Sequence, residues 1–315
     1  MSTLAPDKPQ RPEKPSQKSQ LLRFVAITIA AIGSLAVIIV FARWLVSLPA
    51  VHAFIVEYPG YGSVRMDAPS GLPPWLNFQH FLNVFFMVLI IRTGWQVRTT
   101  QRPSAYWTRK NNGLIKTSGP PKKISLDLWL HLTLDALWIL NGATFLVLLL
   151  ATGQWMRVVP TSWDVLPNAL SAVLQYTSLD WPLENGWNNY NSLQLLSYFA
   201  TVFIAAPLAF LSGLRMSNAW PRSPRLNKAY PIELARRLHF PVMIYFVVFI
   251  AVHVTLVLCT GALRNLNHMY AAADDDGWLG FALFAASLVV IVGSWFLARP
   301  LFLRPIASLM GKVGR

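Results

Sequence analysis

Long apolar blocks alternate with shorter polar stretches along this chain. Six blocks stand out, at roughly residues 22–48, 76–95, 127–152, 192–213, 239–260 and 279–298. About 20 apolar residues of helix cross the ~30 Å hydrocarbon layer of a bilayer, and each block meets that length. The pattern therefore predicts an all-α integral membrane protein with six transmembrane helices. The four middle blocks close on Thr93-Gly94, Thr152-Gly153, Ser212-Gly213 and Thr260-Gly261. Glycine just past a last helical turn adopts positive φ at little cost, so these dipeptides read as helix stops. Residues 1–21 form a polar tail rich in Lys, Pro and Gln, expected to be disordered. The block that follows exceeds the 7–15 apolar residues of a cleaved leader, so it is expected to remain as a transmembrane helix over 22–48.

The polar stretches alternate in charge. The chain carries 27 Lys and Arg against 13 Asp and Glu, a formal net charge of +14. Of the 27, 23 fall in the N-terminal tail with Arg23, in the stretch Arg92–Lys123, in the 214–238 loop, and in the tail from Arg299. The other loops hold only Arg43, Arg65, Arg157 and Arg264, with acids such as Glu57, Asp67, Asp164, Asp180, Glu184 and Asp274-Asp275-Asp276. Basic loops stay on the cytoplasmic side, so both termini are expected there. The basic balance is thus a signature of topology, and it excludes a nucleic-acid partner. Composition agrees with the membrane reading: 54% of residues are hydrophobic and mean hydropathy is +0.43.

The topology gives each buried histidine a depth. His80 starts the second span from outside; His131 starts the third from inside. His239 and His253 share the fifth span, 14 residues apart. Fourteen residues are almost four turns, which puts both rings on nearly one side, ~21 Å apart along the axis. His239 is then inner and His253 outer. Pairing by depth joins His80 with His253 and His131 with His239. A b-type haem takes two axial nitrogens from opposite faces, commonly from facing helices, and this arrangement supplies that twice. Zinc needs four ligands around one ion, which histidines ~20 Å apart cannot provide. The single cysteine, Cys259, excludes intramolecular disulfides, thioether-linked haem and iron–sulfur clusters bound by this chain alone.

Other residues mark candidate chemistry. Asp135 lies one turn deeper than His131 on the same face. A carboxyl there is costly when charged and unpaired, so it reads either as a structural acid or as a proton relay to a quinone. Arg236 and Arg237 precede His239 and read as haem propionate partners or as ordinary basic-loop residues. Gly142, inside the third span, lets a flat macrocycle or another helix approach the backbone. His52 and His268 fall in or beside outer loops and read as solvated or interfacial. The outer loop 154–191 carries Trp155, Trp163, Tyr176, Trp181, Trp187 and Tyr190, with a short interfacial helix expected over 168–176. It is too small for a catalytic domain and large enough to dock a partner.

With these residues in view, the second to fifth spans (76–260) resemble the bacterial cytochrome b561 superfamily. They are most similar to the membrane cytochrome b subunits of formate dehydrogenase, nickel–iron hydrogenase and thiosulfate reductase. The stretches LNFQHFLNVFF, IRTGWQVR, FLSGLRMS and RRLHFPVMIYFVVFIAVH carry the resemblance. It implies a four-helix di-haem core with one ligand on its first helix, one on its second, none on its third and two on its fourth. These fall on His80, on His131, and on His239 with His253. The helix at 22–48, the last span with its tail (279–315) and the long outer loop are additions to that pattern. Segment 124–206 resembles relatives that accompany sulfite-oxidase-like molybdopterin enzymes. The resemblance implies two b-type haems, quinone as redox substrate, and an extracytoplasmic oxidoreductase partner that is molybdopterin-dependent. No loop carries a nucleophile–base pair, a phosphate loop or a metal motif. Two alternatives stay open at this stage: a stand-alone quinone-dependent reductase or oxidase, and a haem-free transporter or scaffold subunit.

Overall fold

The structure, a computed structural model, describes residues 16–62, 68–111, 121–181, 186–221 and 223–314. The tail up to Pro15 and the charges Arg65, Asp67, Lys116, Glu184, Arg222 and Arg315 lie outside the described residues. Six helical segments are long and apolar enough to cross a membrane. They are α1 (Gln17–Ser47), α3 (Pro74–Thr99), α4 (Leu126–Ala151), the pair α6 (Ser192–Phe199) and α7 (Ala206–Met216), α9 (Ile232–Cys259) and α11 (Leu279–Leu297). A π-helical turn over Ala200–Ala205 joins α6 to α7. It precedes Pro207, which has no N–H to give to the helical ladder.

Helix ends follow local chemistry. Ser125 caps α4 by accepting from the Leu128 N–H, and Asn191 forms a capping box with Gln194 at the start of α6. Pro231 precedes α9, whose first turn holds Glu233, a charge that suits the positive helix end. Pro241 sits inside α9, two residues after His239, and removes the N–H that would bond the Arg237 carbonyl.

Packing is strongest between α3 and α4 and between α7 and α9. The two pairs meet on a buried cluster of Met87, Ala205, Val242 and Phe246, flanked by Ile91, Trp138 and Leu208. Phe246 lies seven residues from His239 and seven from His253. The cluster therefore forms an apolar layer between the two histidine levels. Trp138 stands edge-on to Phe246, ring centroids 6.4 Å apart, and its indole N–H donates to Asn83 Oδ1 at 2.8 Å. Helix α1 is peripheral. Ala42 is its only buried residue, and Arg43 Nε donates to the Ser178 carbonyl at 3.0 Å.

The basic end of the bundle adds a feature the hydropathy pattern does not signal. Strands β1 (Tyr106–Arg109), β2 (Lys123–Ser125) and β3 (Gly311–Gly314) form an antiparallel sheet ordered β2-β1-β3. Helix α12 (Pro300–Met310) lies against it, burying Leu303 and Ala307 with Ala105, Leu126 and Trp129. Trp107 Nε1 donates to the Ala307 carbonyl at 3.0 Å.

At the acidic end the loop 154–191 is ordered where described. A turn over Gln154–Arg157 leads to α5 (Val165–Ser178), which is longer than the interfacial helix expected there. Arg157 is 3% exposed and donates to the carbonyls of Gly71 and Gly186, with its guanidinium over the Tyr190 ring. Buried hydrogen bonds from a charged donor are worth roughly 1.5–3 kcal/mol each, enough to pin the loop onto the second span.

Candidate functional site

The histidines meet as their depths predict. His80 of α3 faces His253 of α9 with ring centroids 6.4 Å apart and planes at 60°. His131 of α4 faces His239 of α9 with the same 6.4 Å separation and planes at 84°. Two imidazoles on opposite sides of one metal ion place their nitrogens about 2 Å from it and their ring centres about 1 Å further out, or about 6 Å apart. Both pairs therefore fit bis-histidine ligation of one iron each. Among the described residues no group of three or more His, Cys, Asp or Glu side chains could hold a metal ion.

The two levels are built differently. At the inner level the Thr93 hydroxyl lies 3.0 Å from His131 Nδ1, and the Ser212 hydroxyl lies 2.9 Å from His239 Nδ1. The glycine after each hydroxyl lets the ring approach. A Cβ on Gly94 would stand 3.2 Å from His131 Cε1, and one on Gly213 would stand 3.5 Å from His239 Cε1. These two dipeptides are therefore not helix stops. Helix α3 continues to Thr99 and α7 to Met216. The stop reading holds for the other two, where Gly153 has φ +74° and Gly261 φ +128°. The fourth span, which carries no histidine, thus contributes to the site through Ser212 and Gly213. Its signal in the sequence was a small hydroxyl residue beside a glycine, which a helix end also shows.

At the outer level neither histidine makes a side-chain hydrogen bond among the described residues, and His80 Nδ1 is buried without a partner. Other polar atoms buried without partners lie on the same two helices, Trp75 Nε1, Asn77 Oδ1 and Gln79 Oε1 on α3 and Asn141 Oδ1 on α4. The Asn83–Trp138 bond sets the register of α3 on α4, which brings Asn141 and Gly142 to the depth of His80. A Cβ on Gly142 would meet no atom within 4 Å, as a close approach by a flat group requires. Aromatic rings frame this level. Tyr270 stands edge-on to His80 at 5.9 Å, Phe249 stacks on His253 at 5.6 Å, and Tyr198 lies edge-on to His253 at 6.1 Å.

Asp135 joins the inner level, its Oδ2 being 3.6 Å from His131 Nε2. Arg236 and Arg237 are exposed and make no side-chain hydrogen bond or ion pair among the described residues. Arg236 is three positions before His239 and shares its face of α9, whereas Arg237 does not.

His52 is exposed on α2 (Pro49–Glu57), as expected. His268, expected to be solvated or interfacial, is not solvated: it is 5% exposed. It lies in a π-helical turn, Asn267–Ala271, that follows α10 (Ala262–Leu266) and packs under α3 and α11. Its backbone carbonyl accepts from Asn77 Nδ2, its ring lies tilted against Trp187 with centroids 5.3 Å apart, and its Nε2 is 2.8 Å from Asp274 Oδ1. The hydrogen bond from His268, and a second from Arg264, hold the Asp274 carboxyl below the usual carboxylate range. A depressed carboxyl pKa stabilises the fold at pH values above the unfolded value near 3.8, and the contribution is lost as pH falls through the folded value. Thermal unfolding of the wild-type protein is therefore expected to turn acid-sensitive below about pH 4. Asp274→Asn should be less stable at neutral pH and show less of that acid loss; an unchanged profile would remove the clamp from the stability of this end.

The family model for prokaryotic cytochrome b561 matches residues 71–272, which is most of the chain and contains both histidine pairs. Among curated proteins, a chain of Azospira oryzae named provisionally as protein-methionine-sulfoxide reductase subunit YedZ1 is 31% identical over 199 residues. That alignment covers 59% of this chain and 88% of the relative. No solved structure gives a significant match.

Proposed function

The chain belongs to the prokaryotic cytochrome b561 family, and from that premise we propose that it binds two b-type haems and carries electrons across the membrane between quinone and an extracytoplasmic oxidoreductase. It is a multi-pass protein of the bacterial inner membrane, and its family binds b-type haem in electron transport. The observation that carries the di-haem reading is the stacking of two histidine pairs, each 6.4 Å between ring centroids, at two depths of one bundle. His80 and His253 would hold the outer haem; His131 and His239 would hold the inner. Bound haem supplies reversible one-electron chemistry. The chain's residues orient the macrocycles, exclude water and keep the two levels apart. Arg236 would serve a propionate at the basic end, with Arg237 as its neighbour in the same turn.

The segments divide accordingly. Residues 76–260 form the haem-binding core, 22–48 and 279–315 are additions around it, and both termini lie in the cytoplasm with the basic loops. The relative's name supports a partner that reduces methionine sulfoxide. Electrons would then run outward: quinol gives two electrons and two protons, and the sulfoxide takes two of each to form the thioether and water. A molybdopterin enzyme docked on the acidic end, against the loop 154–191, suits that chemistry. Asp135, 3.6 Å from His131 Nε2, would take a quinol proton at its carboxylate. Asp135→Asn should keep both haems and slow quinol oxidation roughly 10²-fold or more; unchanged turnover would remove the carboxyl from the proton path.

The deciding experiment is a reduced-minus-oxidised spectrum with haem quantification on the purified chain. Two haems per chain are expected; one, or none, overturns the reading. Purification of the complex with metal analysis then tests the partner, since absence of molybdenum would exclude a molybdopterin enzyme. Quinol-driven substrate turnover by the purified chain alone would favour a stand-alone enzyme instead.

A further inference from the structure

We infer that the Thr93 and Ser212 hydroxyls fix the tautomer of the two inner histidines, which sets the inner haem site apart from the outer one. The inference rests on the di-haem reading above. Each hydroxyl is already committed as a donor: Thr93 Oγ1 bonds the Leu89 carbonyl at 2.8 Å, and Ser212 Oγ bonds the Leu208 carbonyl at 2.6 Å. A hydroxyl has one hydrogen and two lone pairs. With the hydrogen turned back into its own helix, the oxygen can only accept from the ring nitrogen facing it. That nitrogen is Nδ1 in both histidines, at 3.0 Å for His131 and 2.9 Å for His239. Nδ1 therefore carries the proton, with the Ile90 and Ala209 carbonyls as further acceptors beside the two hydroxyls, and Nε2 presents its lone pair; Asp135 Oδ2, 3.6 Å from His131 Nε2, lies beyond hydrogen-bond reach. A neutral imidazole in that tautomer is the form that binds a metal through Nε2.

The arrangement is repeated across the bundle. Thr93 on α3 serves a ring from α4, and Ser212 on α7 serves a ring from α9. In both cases the next residue is a glycine whose missing Cβ gives room for the ring edge. Helix and hydroxyl together form a rigid acceptor, because the side chain is tied at both ends. The outer level has no counterpart, and His80 Nδ1 is buried with no protein acceptor among the described residues. A hydrogen bond to the distal nitrogen makes the ligand more basic and stabilises the more oxidised metal. Thr93 and Ser212 are thus positioning residues that lower the potential of the inner site alone.

The test is a redox titration and low-temperature EPR of the purified haem-loaded protein. Thr93→Val and Ser212→Ala should each move one and the same haem to higher potential, change that haem's low-spin signal, and leave the other unshifted. Haem retention at the affected site should fall by roughly 10- to 100-fold. Thr93→Ser and Ser212→Thr restore the acceptor and should restore both readouts. Thr152→Val is the control: its hydroxyl bonds the Leu148 carbonyl in the same way but faces no histidine, so neither haem should move. Unchanged potentials and EPR signals in both Thr93→Val and Ser212→Ala, or equal shifts of both haems, would overturn the inference while the di-haem reading stands. A wild-type protein with fewer than two haems would instead sink that reading. If one variant fails to accumulate, the other tests the same statement from a different helix.

Discussion

Replacing His253 by alanine should remove one haem, leave the other in place and abolish electron transfer across the membrane. In the proposed arrangement each iron would be held by two histidines from different helices, and loss of either would leave the other unable to hold it alone. Absorbance of the reduced protein should fall to about half that of wild type, since one of two sites survives. The geometry makes the result specific. His80→Ala must lose the same haem as His253→Ala, because those rings face each other at 6.4 Å. His131→Ala and His239→Ala must both lose the other one. The surviving site lies ~21 Å away along α9, beyond the reach of local repacking. Redox titrations of the four variants, sorted by which signal disappears, check the assignment. If His253→Ala and His239→Ala lost the same haem, the two histidines of α9 would serve one site and the pairing would fail.

Gly280→Ala is expected to be strongly disruptive although it lies outside the histidine pairs. Gly280 begins the packing of α11 against the turn Asn267–Ala271, and its N–H donates to Asn267 Oδ1. A Cβ there would overlap the backbone nitrogen and Cα of Asn267. Backbone cannot swing aside as a long side chain can, so either the turn or the helix must move. Overpacking of this kind costs about 1–3 kcal/mol or more. The turn carries His268 and Tyr270, and the Tyr270 ring stands against His80, so the damage should reach the outer haem first. Gly293, on the same helix, is the comparison: a Cβ there would meet nothing within 4 Å. Gly293→Ala should unfold at or above the wild-type temperature; Gly280→Ala should unfold well below it and release the outer haem early. Equal melting curves for the two variants would show that α11 does not brace the site.

The sequence made some of this legible and hid the rest for physical reasons. Span length and the Lys/Arg distribution act over tens of residues, and the six spans are found where the apolar blocks lie. The 14-residue interval between His239 and His253 is a property of one helix, so their stacking could be read directly. The partners of those rings could be inferred because His80 and His131 sit near span ends, where depth follows from topology. Thr93 and Ser212 were hidden because a hydroxyl followed by glycine looks the same at a helix stop and beside a ring. Only the neighbouring helix distinguishes the two. The sheet was hidden because β1 and β3 are four residues each and lie about 200 positions apart, too short for an alternating pattern. The burial of His268 was hidden because it depends on Asn77, Trp187 and Asp274, which only the folded chain brings around it.

The apolar layer of Met87, Ala205, Val242 and Phe246 has an electrical consequence. Such a layer has low polarisability, and the hydroxyl of Tyr245, packed against it, is tied to that of Thr201 at 2.8 Å. Part of the transmembrane voltage then falls across this layer, between the histidine levels. Moving one elementary charge through the whole potential is worth ~2.3 kcal/mol per 100 mV. An electron crossing the layer feels a share of that work, and the energised state of the membrane becomes a bias on the direction and rate of its passage.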